Sequence, residues 1–596
     1  MDKEAKIEKV KDALSGAKLI YLAAAAGALL CLPSLFGGFF TDDWYHRLMF
    51  TGWTGLERFA LDPVMHMFTF FDGDPQRTRG LMDVGFYPWW TWPDNLVAFF
   101  RPVSAITHWF DYLAWPHSPA LMHLHNVLWY FAAALSVGAL YRKIEGAAWI
   151  AGLMALMFAL DDAHGFAVGW IANRNVLVAV TFGSIALVFH HDWRTKGGAW
   201  RAALSVLFFL MALFSKEAAV SVAGYIFAYA VFLDRKGVVS RALSLLPAGA
   251  AVILWRLTYS GLGYGASRVP TYTDPVREPF DFAVQFIERA PQLVLGQLGT
   301  PPSEIYHMFF YPPGRWKLAA AVAFLIVAGA LFTFTLRRSR NAGFWATGFV
   351  LSLIPASAIF PSERALFFAG IGAFGLVAHF VASVFEDEKR GPLQILLKAF
   401  ALYLLVVNVL VAALLLPLGS FTPEMYSKPV EYRQLIAGFL PEYGELSEKE
   451  IYVVNAGPSV TGVIFNWRSI HGEELPQRLM GLGGKKAGDI RITRTGQNSI
   501  RWEANGGAYG KSPWERVFRG EARPFRQGDA VELSGLIIKV QDTTADGRPS
   551  SFELVFKGQL EGGDRIWMRS ENGVLMPFDL PGPGETVVVE QKLSRK

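Results

Sequence analysis

The sequence predicts a polytopic all-α membrane protein followed by a C-terminal soluble β-rich domain, and three observations predict it. The chain of 596 residues is 52% apolar and 14% aromatic, with only 18% charged residues, and its mean hydropathy is +0.28, far from the mix of soluble domains. About eleven apolar runs precede residue 420, several of them reaching the roughly 20 residues that carry a helix across a hydrocarbon core of about 30 Å. Beyond residue 420 the runs become short and lie between Gly, Asp and Pro turns, the pattern of strands.

In chain order the apolar runs are Lys18–Phe40, Leu121–Leu140, Ala147–Leu160, Phe166–Phe189, Arg201–Phe214, Ala218–Leu233, Ala242–Thr258, Leu318–Leu336, Phe344–Phe360, Ala365–Phe385 and Leu393–Leu416. The first has a long polar lead-in and reaches spanning length, so it reads as an uncleaved anchor and not as a signal peptide. Leu30, before Cys31, is not the small residue a lipoprotein signal needs. One cysteine excludes internal disulfides and a cysteine metal site. The net charge of +5 traces to particular loops and calls for no nucleic-acid partner.

Those loops set the expected orientation, because Lys and Arg accumulate on the cytoplasmic side. With the N-terminus inside, the inner segments hold Lys3, Lys6, Lys9 and Lys11; Arg142 and Lys143; Arg194 and Lys196; Arg235, Lys236 and Arg241; Arg337, Arg338 and Arg340; and Lys389 and Arg390. The same parity puts the polar interruptions "TDDWYH", "FRPVSAITHWFDYL", "LDDAHGFAVGWIANRN", "FSKEAA" and "FPSERALFF" on the outer face. The chain is thus expected as a multi-pass protein of a bacterial inner membrane, with the transmembrane domain at 1–420 and a periplasmic β-rich domain at 421–596.

A first outer loop, 41–120, carries Phe86, Tyr87, Trp89, Trp90 and Trp92, which read as an interfacial aromatic belt before a sugar-stacking platform. A second, 259–316, is rich in Pro, Gly and Tyr in "GLGYGASRVPTYTDP" and "GTPPSEIYHMFFYPPG" and reads as a lid. In the last domain "EIYVVNAG", "DIRITRT", "DAVELSGLIIKVQDT", "SSFELVFKGQL" and "ETVVVEQ" are the expected strands, with one or two short helices. The chain shows no internal repeat.

Ionisable residues near membrane depth are expensive and point to function, but each has a plainer reading. Asp42 and Asp43 also fit an ordinary helix end meeting water. Asp161, Asp162 and His164 sit in a short turn that an Asx-type bond explains in part. Lys216 with Glu217, and Glu363 with Arg364, are able simply to pair. Arg174, eight residues inside a span, calls for a buried anionic partner. Together with Arg101 these residues outline an outer-face cavity with carboxylates, a histidine and as many as four cations. Guanidinium and ammonium groups suit a phosphate, and a carboxylate beside them suits a general base for a hydroxyl nucleophile. An anion transporter has the same inventory.

The ordered series "FFTDDW", "FRPVSAITHWFDYLAWPHSPALMHLHNVLWYF", "FALDDAHGFAVGWIANRNVLVAV", "FSKEAAVSV" and "IPASAIFPSERALFFAGIGAF" resembles the membrane half of the transmembrane and tetratricopeptide-repeat protein O-mannosyltransferases and their bacterial relatives, within the type C glycosyltransferases. The resemblance covers residues 37 to 375. It implies an inverting enzyme that takes its sugar from a polyprenyl phosphate, with no cofactor and no obligatory metal. The family's acidic pair falls on Asp42 and Asp43, its Arg-Pro on Arg101 and Pro102, and its His and Asn on His123 and Asn126. Its fourth-span Arg falls on Arg174, its Lys-Glu on Lys216 and Glu217, and its Glu-Arg on Glu363 and Arg364. The chain departs from the family's His-Pro-x-His-x-Glu-x-Val: Asp161 and Asp162 replace the first His and the Pro, His164 is kept, and Phe166 stands at the Glu. The tetratricopeptide repeats are absent.

The resemblance thus implies transfer to a hydroxyl of a glycan, lipid or protein acceptor at the outer face. Asp42 or Asp43 would act as base, with Asp42 slightly preferred because adjacent side chains at a helix end diverge by about 100°. Arg364, Arg174, Lys216 and Arg101 would hold the donor phosphate, and Asp161, Asp162, His164, Glu217 and Glu363 would position substrate. The rivals are an inactive relative serving as scaffold, favoured by Phe166, and a transporter of lipid-linked glycans or anions, disfavoured by short basic inner loops without a polar constellation.

Overall fold

The structure is a computed structural model that describes residues 3–267, 269, 271–299, 315–427, 445–484, 488–511, 513–571 and 574–590. The chain forms two compact units. The first comprises Met1–Asp43, Phe100–Gly263 and Asp274–Ser427; the second comprises Trp44–Phe99, Tyr264–Thr273 and Lys428–Lys596. This differs from a division at residue 420. Most of the first outer loop and a short piece of the second belong with the C-terminal segment, because their strands and rings pack among themselves.

The first unit is helical. Among the described residues seven helices are long and apolar enough to cross a membrane: Leu19–Phe36, Pro119–Ile144, Ile171–Lys196, Val238–Gly261, Trp316–Leu336, Phe367–Phe385 and Pro392–Pro423. An eighth span arises if Ala148–Leu160 and Asp162–Gly169, bent by 41°, count as one. The remaining predicted runs are helices below spanning length: Ala199–Leu213, Glu217–Phe232 and Arg340–Ala356. Ile171–Lys196 and Phe367–Phe385 are the most enclosed. The latter packs closely through small residues. A Cβ at Gly375 would lie 2.2 Å from Trp345 Cγ, and one at Gly372 would lie 2.4 Å from the Trp345 carbonyl oxygen; small residues at helix contacts are how apolar helices approach each other.

The Arg174–Lys196 helix separates two polar ends by about 35 Å. Near its C-terminus the side chains close into ion pairs: Lys143 with Asp192 at 2.9 Å and Arg194 with Asp234 at 2.7 Å. At the same end Glu145 accepts from Trp345 Nε1 at 2.6 Å and Asn341 Nδ2 at 3.0 Å and pairs with His379 at 3.1 Å. The basic loops therefore do carry polar constellations, contrary to the sequence reading. They are closed networks whose partners are one another.

Among the described residues the second unit holds three sheets. Phe68–Asp72, Leu96–Phe99 and Gly265–Ser267 pair antiparallel. Six antiparallel strands lie in the order Thr586–Val589, Ile490–Arg494, Ser499–Glu503, Pro549–Phe556, Leu536–Thr543, Ala530–Leu533. The turn of the Leu536–Thr543 and Pro549–Phe556 hairpin uses Gly547 at φ 74°, where a side chain would be strained. Four strands, Val574–Pro577, Arg565–Glu571, Glu450–Val453 and Arg478–Gly481, form the third sheet, and the helix Pro458–Ile470 links its parallel pair Glu450–Val453 and Arg478–Gly481. Alternate residues Ile490, Ile492, Ile500, Trp502, Ile538, Val540, Phe552 and Leu554 face inward, the period-two pattern of half-buried strands.

Of the loop aromatics, Phe86, Tyr87, Trp89 and Trp90 are buried and Trp92 is half-buried. Trp89 and Trp90 are buried in this same cluster; Trp89 meets Phe552 at 4.7 Å, Trp90 stacks on Tyr509 at 5.2 Å, and Trp89 Nε1 donates to the Leu482 carbonyl at 3.2 Å. Of the lid segment, residues 300–314 lie outside the described residues. The part before them includes the Pro279–Leu298 helix.

Candidate active site

The first apolar helix, Leu19–Leu30, passes through the turn Leu32–Phe36 into "GGFF". His123 Nε2 holds this exit by donating to the Gly38 carbonyl at 3.1 Å. Thr41 then adopts φ 39°, the one positive value at a non-glycine residue among those described. Strain of about 1–3 kcal/mol at such a position persists only where the surroundings impose it. The kink delivers Asp42 and Asp43 as the first residues of the Asp42–Thr51 helix.

The two acids have different surroundings. Asp43 is buried; its Oδ2 accepts from Phe40 N at 2.9 Å and its Oδ1 from Ala172 N at 2.7 Å. Both oxygens thus staple the start of this helix to the turn Ile171–Asn173. Burial holds its carboxyl well above the usual range despite those two bonds. Asp42 is half-buried and accepts no hydrogen bond among the described residues. Burial pushes its pKa up to about 6 against the lowering effect of Arg364 and Arg101.

Two cations, Arg364 and Arg101, act on this carboxylate, and Lys216 shares their surroundings. Arg101, just before the Pro102–Ala114 helix, grips Glu217, with Nε at 3.0 Å and Nη2 at 2.6 Å from Oε2. Tyr259 OH lies 3.5 Å from the other oxygen of Glu217. Lys216 Nζ donates to Asn175 Oδ1 at 2.7 Å, and Asn175 Nδ2 donates to the Ala172 carbonyl at 2.7 Å. The two backbone polar groups of one residue, Ala172, therefore serve the Asp43 staple through its N–H and the Lys216 support through its carbonyl. Burial lowers the Lys216 pKa well below that of an ordinary lysine; Arg101 and Arg364 add to the fall and Glu217 opposes it. Arg364 is buried next to Glu363 in the turn Glu363–Ala365. Its guanidinium lies 5.0 Å from the centre of the Trp170 ring and 5.4 Å from that of Phe360, within cation–π range.

Phe166, where the family pattern has Glu, joins an aromatic cluster: Phe40 meets Trp170 at 5.3 Å, and Phe166 meets Trp170 at 5.7 Å and Phe40 at 6.2 Å. Trp170 Nε1 is buried with no hydrogen-bond partner among the described residues.

Arg174 stands apart from this group. Its Nη2 lies 2.5 Å from Asp111 Oδ2, Nε donates to Asn126 Oδ1 at 2.6 Å, and Nη1 and Nη2 donate to the Thr107 and Met122 carbonyls. Asp111 is the buried anionic partner the sequence called for, itself bonded to His125 Nδ1 at 2.6 Å. Asn126 also donates to the Val168 and Trp170 carbonyls, so Arg174 and Asn126 brace the segment that carries Trp170 and Ala172. Arg174→Met should lower stability by about 3–5 kcal/mol, because Asp111 is left buried and unpaired. Thermal unfolding in detergent checks this; a full-stability variant with weakened donor binding would instead place Arg174 at the phosphate.

Asp161 and His164 form a second group. Asp161 Oδ1 accepts from Ala163 N at 3.2 Å and Oδ2 from Gln297 Nε2 at 3.0 Å, with His164 Nε2 at 3.5 Å. His164 is fully buried, stacked on Phe367 at 3.9 Å, with Nδ1 3.2 Å from Tyr130 OH. Asp162 is half-buried, and its turn packs against Glu363–Ala365. Sequence reading passed over Asn175, Trp170, Tyr259 and Gln297. The first two lie within "GWIANRN", where Asn175 directly follows Arg174, while Tyr259 and Gln297 fall in the segment 259–316 that reads as a lid.

No protein-family model matches the sequence, and no curated protein does. Among solved structures, the oligosaccharyltransferase of Archaeoglobus fulgidus in its apo form is similar at 15% identity and a TM-score of 0.40, over 79% of this chain and 66% of that one. The archaeal oligosaccharyltransferase AglB from the same organism, in complex with an inhibitory peptide and a dolichol-phosphate, is similar at 14% identity and a TM-score of 0.38, over 78% and 66%. This chain thus spans just under two thirds of their length. Likenesses at this level bear on neither substrate nor activity.

Proposed function

We propose that this protein is an inverting membrane glycosyltransferase that moves a sugar from a polyprenyl phosphate to an acceptor hydroxyl at the outer face of a bacterial inner membrane. The observation that carries the reading is the grouping of Arg364 and Arg101 with Asp42 and, through the same two arginines, with Lys216, while the Asp42 carboxylate keeps no hydrogen bond of its own among the described residues. Arg101, Lys216 and Arg364 share one neighbourhood in which Glu217 is paired with Arg101, and a further anion is drawn to such a group of cations. A phosphate diester supplies that anion. Asp42 removes the proton as the acceptor oxygen attacks the anomeric carbon. The sugar–phosphate bond then breaks with inversion, and the charge that develops on the departing polyprenyl phosphate meets Arg364, Lys216 and Arg101. Asp43, His123, Asn126 and Arg174 hold the backbone on which these groups stand. Asp161, Asp162 and Glu363 border the same turns and position sugar hydroxyls. The step needs no cofactor and no metal ion.

The test is transfer of radiolabelled sugar from synthetic polyprenyl-phosphate mannose and glucose by protein purified into lipid. Transfer to an acceptor pool, or slow hydrolysis of donor, supports the enzyme. Donor that binds and never turns over would shift the reading to a scaffold or a transporter.

A further inference from the structure

The second unit holds arginines that sugar transfer at Asp42 does not use, and one of them is out of pattern. Among the described residues 445–590 five arginines are buried: Arg478, Arg494, Arg516, Arg519 and Arg548. Four have carboxylate partners. Arg478 pairs with Asp83 and Glu450, Arg494 with Glu561, Arg516 with Asp546 and Glu521, and Arg548 with Asp546. Arg519, only 8% exposed, makes no ion pair among the described residues. Its one side-chain hydrogen bond there runs from Nε to the Arg523 carbonyl at 2.7 Å. Its guanidinium lies 3.5 Å from the centre of the Phe525 ring and 5.0 Å from that of Trp92.

Arg523 lies over the same Trp92 ring at 4.6 Å, so two guanidiniums share one indole. Donors in this group go unanswered. Arg523 Nε and Trp92 Nε1 are buried with no hydrogen-bond partner among the described residues, and the terminal nitrogens of Arg519 make no hydrogen bond there. Burial brings the Arg519 pKa down to about 10 against Tyr509 and Asp529, which leaves it a cation at neutral pH with little water about it. A buried charge without a counterion is unfavourable, and an arriving anion removes that penalty. The planar fork of arginine matches a carboxylate or a phosphate with two parallel bonds.

We infer that Arg519, Arg523 and Trp92 form a binding site for an acidic saccharide, holding a carboxylate or phosphate group of the glycan that accepts the sugar. The saccharide rests on the proposed transfer; the acid rests on the arginines alone.

The experiment is calorimetric titration of the full-length protein, in nanodiscs of zwitterionic lipid, with oligogalacturonate, a phosphorylated maltooligosaccharide and neutral maltotetraose. At least one acidic oligosaccharide is expected to bind, with the stronger of the two naming the group; neutral maltotetraose is not, and added salt should weaken binding. Arg519→Gln and Arg523→Gln should each lower affinity about tenfold or more, as expected for loss of a charged hydrogen bond, and Arg519→Lys should restore part of it. Arg523 is the more exposed of the two, so Arg523→Gln keeps the test decisive if the Arg519 variants fail to fold. Equal affinity for acidic and neutral saccharides, undiminished binding by Arg523→Gln, or no binding of either acid would overturn the site. Acid-selective binding by a protein that never turns over donor leaves this site standing and removes the transferase reading.

Discussion

Asp42→Asn is expected to lower sugar transfer by about 10²- to 10⁴-fold, the usual contribution of a positioned base, in a protein that still folds. The side chain accepts no hydrogen bond among the described residues, so its amide replacement breaks no contact that holds the unit together. Asp43→Asn should do the reverse in stability: one of the two oxygens bonded to Phe40 N and Ala172 N becomes an NH2 facing a donor, and the melting temperature should fall along with activity. The pH profile adds a second reading. Burial raises the Asp42 carboxyl to about 6, and the base works only when ionised. Activity should therefore be low in acid, rise with pH through about 6 and level off above it. A profile flat from pH 5 to 8, or a fully active Asp42→Asn, would remove Asp42 from the chemistry.

The second large effect belongs to Arg364. Arg364→Gln should lower transfer by about 10²- to 10³-fold, comparable to removing one preorganised donor from a developing anion. Arg364 is also the foremost of the charges that lower the Asp42 carboxyl. Its loss should move the acid limb of the profile upward, beyond about 6, because the ionised carboxylate then lacks that cation. A purely structural arginine, stacked on Trp170 and Phe360, would cost stability and leave the limb where it was. Near wild-type turnover with an unmoved limb would reject the leaving-group assignment.

Much of what the candidate site contains was legible in the residues. The acid pair, Arg101, Lys216, Glu217 and Arg364 are polar residues interrupting apolar runs, and each interruption marks a helix end. Roles were less legible than places. Adjacent aspartates look alike in a sequence; only the backbone N–H groups of Phe40 and Ala172 separate them. Arg174 reads as one more phosphate ligand until Asp111, Asn126 and two carbonyls occupy its donors. His164 reads as a site residue and is stacked inside the core on Phe367. Trp89 and Trp90 read as a belt, because nothing local tells an aromatic residue that faces lipid from one that fills a sheet core.

By itself the sequence determined the apolar helices of the first unit, the strands of the second and the helix ends at which ionisable side chains emerge. Hydropathy, period and turn residues are properties of neighbours along the chain, and they fix local structure. Only the tertiary structure decided that Trp44–Phe99 joins the C-terminal segment in one unit, that Asp43 is bonded while Asp42 accepts no hydrogen bond among the described residues, and that Arg519 alone of the five buried arginines among the described residues 445–590 makes no ion pair there. Those outcomes depend on which distant groups reach hydrogen-bond distance once apolar surface is buried. That burial follows from area and shape across the whole chain, which no local pattern encodes.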